Sequence, residues 1–182
     1  MKKSLLILTS CLAMACLCSC NPEEQKEQDA PVDAVIPAYY ISSDFEETFV
    51  LADGRSKTVK LNVKTDTVGS ESNLTFTLKA DMTLIEAYNE ANSTECVEMP
   101  SSCYSFDKTE LTVSRYGKSS TTGTLKITAK DLEQGKTYLL PVTIASVTGG
   151  EYKLTENPNV YVLLEAAEVM EEQPDVDITA GL

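Results

Sequence analysis

The chain contains no histidine and no tryptophan. Without histidine, the common Ser-His-Asp hydrolase arrangement has no base, and most zinc sites lose their usual ligand. Without tryptophan, the side chain best suited to stacking on sugars is missing, leaving eight tyrosines and four phenylalanines for that work. Positive charge is also scarce. Lysine and arginine total 15 against 28 acidic residues, a formal charge of −13. A nucleic-acid reader needs a basic footprint, so nucleic acid and anionic lipid head groups are excluded as partners. No apolar run is long enough to cross a bilayer; the longest, near the start, falls short of the ~18 residues a span requires.

That apolar run is informative. Met1, Lys2 and Lys3 precede "SLLILTSCLAMA", a basic start followed by a short apolar core. This pattern reads as a secretory leader removed on maturation. Four of the six cysteines fall in or just after it: Cys11, Cys16, Cys18 and Cys20. They do not form a metal set, because CxC spacing is wrong for zinc and no second ligand cluster exists. Leu17-Cys18-Ser19-Cys20 resembles the bacterial lipobox, which implies acylation of Cys20 and cleavage before it. "AMAC" at Cys16 is a poorer box. Two or more acyl chains give stable membrane attachment where one does not. Loss of residues 1–19, with two lysines and no acid, leaves 13 basic and 28 acidic residues, a charge of −15.

Residues 20–38 read as an acidic flexible tether with Pro22, Pro31 and Pro37. Glu23 and Glu24 are similar to the acidic export signal of outward-facing Bacteroidota lipoproteins, and equally compose a solvated spacer. From Tyr39 the pattern turns β. Val59, Leu61 and Val63 alternate with lysine and asparagine; Leu74, Phe76 and Leu78, and then Leu125 and Ile127, repeat the device. Thr83–Asn92 has helical periodicity, with Thr83 and Glu86 at capping-box spacing. Thr137–Val147 is the most apolar strand. Pro141 inside it cannot donate to a ladder, so an edge or a bulge is expected there. The expected architecture is all-β with one short helix: an immunoglobulin-like β-sandwich of about seven strands over residues 39–167, followed by an acidic frayed tail at 168–182.

Three stretches, "LIEAYNEANSTECVEMPSSCYSF", "LTVSRYGKSSTTGTLKIT" and "LEQGKTYLLPVTIASVTGG", with "NVYVLLEA" at the end, together resemble a Bacteroidota surface-lipoprotein domain of unknown function. The resemblance covers about residues 40–166. It implies an immunoglobulin-like fold, a lipid anchor and a setting of glycan use. Such domains stand ahead of chitinase-like glycoside hydrolase or lectin-like domains. The resemblance carries no catalytic residues. Cys96, Met99-Pro100 and Cys103 depart from its pattern, and no second domain is expected to follow.

Candidate sites are few. Cys96 and Cys103 are the remaining cysteines, and a disulfide between them is expected in an oxidising compartment, against two free buried thiols. Asp66-Thr67-Val68 resembles a Bacteroidota O-glycosylation motif, with Thr67 the acceptor, and also reads as an ordinary turn. Tyr88, Tyr138 and Tyr161 fall in periodic segments and are assigned to the core. Tyr39, Tyr40, Tyr104, Tyr116 and Tyr152 fall at strand ends or loops, where tyrosines could stack on sugars or cap the core, and the last four are the candidate ligand contacts. No nucleophile–base pair or metal-ligand set is visible, so no catalytic residue and no cofactor is assigned, and "DVDITAGL" fails as a calcium loop. The expected protein is a non-catalytic outer-membrane lipoprotein facing the cell exterior, anchored at Cys20, that binds glycans or glycoproteins. The alternative is an assembly subunit that docks on another envelope protein by β-augmentation at an edge near Pro141 or the last strand.

Overall fold

The computed structural model describes residues 35–45 and 48–167. The readings placed on residues 1–34, Cys20 among them, and on residues 168–182 lie outside the described residues.

The alternating segments form two packed antiparallel-rich sheets. Their strands are β1 (Ala38–Ser43), β2 (Phe49–Leu51), β3 (Ser56–Lys64), β4 (Leu74–Ala80), β5 (Val97–Glu98), β6 (Tyr104–Phe106), β7 (Glu110–Val113), β8 (Gly123–Thr128), β9 (Thr137–Thr148), β10 (Lys153–Leu154) and β11 (Val160–Ala166). One sheet runs β10-β1-β3-β8-β6; the other runs β2-β11-β9-β4-β7, with β5 added along β9. This is the expected β-sandwich, with eleven strands among the described residues rather than about seven. The four shortest, β2, β5, β6 and β10, have two or three residues, too few to show alternation. Strand β1 begins at Ala38, inside the segment read as tether.

Period-two patterning decides which side chains meet. Val59, Leu61 and Val63 of one sheet and Leu74, Phe76 and Leu78 of the other are all buried, in one core with Leu111, Leu125, Leu140 and Leu164. Tyr39 and Phe76 bring their rings to 5.0 Å at its centre. Each fully buried side chain of this size contributes roughly 1.5–3 kcal/mol.

Strand β9 departs from alternation: Tyr138, Leu139, Leu140, Pro141 and Val142 are buried in succession. Its inner face meets the core. Its outer face is covered by the crossover that carries α1 (Ile85–Asn92) and β5, so both faces are apolar. Pro141 is therefore not at an edge. Its carbonyl accepts from Asp81 N–H at 3.0 Å, on the side where β4 ends at Val142 and β5 reaches only Leu139. The missing N–H falls in that gap. The bulge lies further along β9, where Ala145 is the extra residue opposite Thr77/Leu78 of β4. The last strand, β11, is interior as well, between β2 and β9. The edges that do exist, β2, β6, β7 and β10, are four residues or shorter. Short edges resist strand addition, so the edge expected near Pro141 or the last strand is absent.

The helical segment opens with a 3-10 turn, and its cap is Asp81 and not Thr83: the Asp81 carboxylate accepts from Thr83 N–H (3.3 Å) and Thr83 O–H (2.6 Å) and pairs with Lys79 at 2.8 Å. A 3-10 turn, Met82–Leu84, leads into α1. Ser93 in the left-handed region (φ 53°) ends it. Beyond it, Asn89 accepts from Cys96 N–H (3.0 Å) and donates to Cys96 C=O (2.9 Å), which ties down the following loop.

The expected disulfide does not form. Cys96 and Cys103 are both free and buried. Between them the chain crosses from β5, on one sheet, to β6, on the other. The Cys103 thiol donates to Lys130 C=O at 3.4 Å instead. Tyr138 is core, as assigned, but Tyr88 and Tyr161 are only half-buried. Their rings pack at 4.7 Å on the outer face of β11, beneath α1. Helical periodicity for Tyr88 and strand periodicity for Tyr161 placed each on its element and could not say that this outer face is only partly roofed.

Candidate aromatic platform at the loop end

Three connections converge where β3, β7 and β9 end: residues 65–73, 114–122 and 149–152. Glycine permits the convergence. A Cβ on Gly69 would stand 2.2 Å from Gly117 O, and one on Gly149 (φ 112°) would stand 2.1 Å from Asn73 O. Only backbone without side chains fits at those two approaches. Polar contacts then fix the loops. Tyr39, fully buried, accepts from Ser70 N–H through its hydroxyl at 3.0 Å. Asn73 accepts from Arg115 N–H at 2.7 Å, and Thr65 N–H donates to Lys118 C=O at 3.0 Å.

Tyr116 stands on this framework. It is 52% exposed and has φ 59°, a conformation uncommon for a bulky L-residue. The surroundings hold it there. Its N–H donates to Ser70 C=O at 2.7 Å, its hydroxyl accepts from Arg115 Nη2 at 2.6 Å, and the guanidinium carbon lies 4.6 Å from the ring centre. Strain held by its surroundings concentrates at ligand clamps. The ring borders a cavity of about 460 Å³. Val35 and Val68, 70% and 68% exposed, supply apolar wall, while Ser70, Ser72 and Glu151 supply polar groups. An apolar cleft with a few convergent hydrogen-bonding groups is the usual form of a small-ligand site. With no metal-ligand group of three among the described residues, the arrangement offers stacking and hydrogen bonding.

Two other candidate tyrosines belong to the same end. Tyr40 donates to Asp66 Oδ1 at 3.0 Å, and that hydrogen bond raises its phenol above the ordinary value of 10.0. Thr67, beside Asp66, is exposed; its hydroxyl is within 3.0 Å of Thr65 Oγ1. Tyr152, 38% exposed, sets its ring edge-on to Phe76 at 6.4 Å and so partly caps the core. Tyr104 is elsewhere. It lies on β6 at the sheet edge, next to Phe106 (6.3 Å), and burial is the main cause of its raised pKa. Sequence reasoning missed Gly69 and Arg115, and it read Val68 only as part of the Thr67 motif and not as cavity wall. An isolated glycine and an Arg-Tyr pair carry no local signal until the loops meet.

A family model whose description reads "-like, N-terminal domain" matches residues 29–151. No curated protein matches the chain. Among solved structures, a proposed carbohydrate-binding protein of Bacteroides ovatus superimposes with TM-score 0.57 at 16% identity, over 72% of this chain and 38% of that one. EndoBT-3987 of Bacteroides thetaiotaomicron, crystallised with a Man5GlcNAc product, gives 0.55 at 20% identity, over 65% and 28%. A two-domain protein of unknown function from Bacteroides fragilis gives 0.52 at 13%, over 75% and 47%. These likenesses establish the fold. The chain spans less than half the length of each of these proteins.

Proposed function

The chain belongs to this family of N-terminal domains, and from that premise we propose that it is a non-catalytic binding or accessory module for glycans. The observation that carries the reading is Tyr116: an exposed ring locked in a strained conformation beside a cleft of mixed polarity. A rigid aromatic costs little side-chain entropy on binding. One ring face is occupied by Arg115, which leaves the other for a sugar. Support also comes from carbohydrate in the descriptions of two structural neighbours. In this reading acylation at Cys20 anchors the protein in the outer membrane, facing outward. Thr67 is the acceptor of an O-glycan on the same loop.

A glycan array probed with the wild-type chain and with Tyr116→Ala tests the proposal. The wild type is expected to bind one class of oligosaccharide, and the variant to bind it at least fivefold more weakly with an unchanged melting temperature. A blank wild-type array overturns the reading, and hydrolysis of any arrayed glycan overturns its non-catalytic part. Absence of label from a fatty-acid probe, with Cys20→Ala as the control, overturns the anchor.

A further inference from the structure

We infer that the outer face of β11 is a second, independent binding site, and that its ligand is an uncharged oligosaccharide. Tyr161, Leu163 and Glu165 point outward at two-residue intervals, so they line one face over roughly 13 Å. Two cavities of about 770 and 750 Å³ lie along this line and share Thr48 and Leu163. Together they form a groove about one strand long. The platform at Tyr116 lies beyond the far end of β9, whose first residue, Thr137, lines this groove.

The groove changes character along its length. At one end are aromatic groups: Phe45 and the Tyr88–Tyr161 pair at 4.7 Å. At the other are Glu95 and Glu165, with threonine hydroxyls between. Lys136 is the one cation among the described lining residues, and its ammonium is engaged with Glu133 at 2.6 Å. Ionised carboxylates only accept hydrogen bonds. The groove therefore presents acceptors and aromatic rings. A polyhydroxylated ring matches both, through O–H donors and a C–H face. A uronate or sulfated sugar brings further negative charge to Glu95 and Glu165, against one lining cation, Lys136, that already faces Glu133, in a chain of net charge −13.

The inference rests on the glycan-binding reading but not on the Tyr116 platform. With the full chain carrying Tyr116→Ala, calorimetry against array-positive uncharged oligosaccharides should retain measurable binding. Adding Tyr161→Ala should weaken it at least tenfold. Matched oligouronates should bind the parent more weakly by a similar factor, and the pair Glu95→Gln and Glu165→Gln should narrow that gap. Glu165→Gln alone, at an exposed position, keeps the test open if Tyr161→Ala fails to fold. If Tyr116→Ala abolishes all glycan binding, the second site is refuted while the platform stands. Equal affinity for oligouronates, or occupation of the groove by a cationic peptide in preference to sugars, also overturns the inference. A blank array with the wild type overturns both sites.

Discussion

Gly69→Ala separates the framework of the platform from the core beneath it. The added Cβ would stand 2.2 Å from Gly117 O, 2.6 Å from Tyr116 C and 2.8 Å from Gly117 N, all backbone atoms. Real Cβ contacts do not fall below 3.0 Å, so the 114–118 loop must retreat by about 0.8 Å or more. Overpacking of this kind costs about 1–3 kcal/mol, which lowers the melting temperature of a chain this size by roughly 3–10 °C. The retreat also breaks or lengthens the Tyr116 N–H bond to Ser70 C=O, now 2.7 Å. Glycan binding should then fall about fivefold to tenfold, about 1–1.4 kcal/mol. Gly54→Ala is the control. Its φ is 75° and nothing lies within 4 Å of the added Cβ, so it should cost about 1 kcal/mol in backbone strain without moving Tyr116. Thermal unfolding and the Tyr116 ring resonances distinguish the two. If Gly69→Ala melts with the wild type and leaves those resonances in place, the loops are not packed as argued.

Three further outcomes are expected. Tyr39→Phe leaves the buried Ser70 N–H without its 3.0 Å acceptor and should cost about 1–3 kcal/mol in urea unfolding; no loss would show that the loop is held otherwise. Asp107 accepts from Thr124 O–H and N–H, both at 2.6 Å, and these bonds hold its carboxyl below the ordinary value of 3.8. Because the folded value is the lower one, its contribution is complete above pH 3.8 and is lost as pH falls below it. Asp107→Asn should therefore lose stability at neutral pH and flatten the acid limb of a stability–pH curve, and an unchanged acid limb would count against the assignment. Finally, free Cys96 and Cys103 predict a melting temperature indifferent to reductant, and a drop on reduction would restore the disulfide.

The sequence by itself determined the sandwich, because period-two alternation in β3, β4 and β8 is a local property that survives without knowledge of partners. The absence of histidine and the acid excess likewise excluded whole classes of chemistry from composition alone. Partner identity was left to the tertiary structure. Pro141 sits in a central strand because β4 and β5 stop short on either side of it. The two thiols are free and buried, and the segment between them changes sheets, from β5 to β6. Tyr88 and Tyr161 meet on an outer face because a crossover passes over β9. Tyr116 was visible as a loop tyrosine, but its platform required Gly69, Ser70 and Asn73, 43 or more residues earlier in the chain, to arrive at the same end of the sandwich. Such approaches depend on long-range register and backbone clearance, which no window of neighbouring residues encodes.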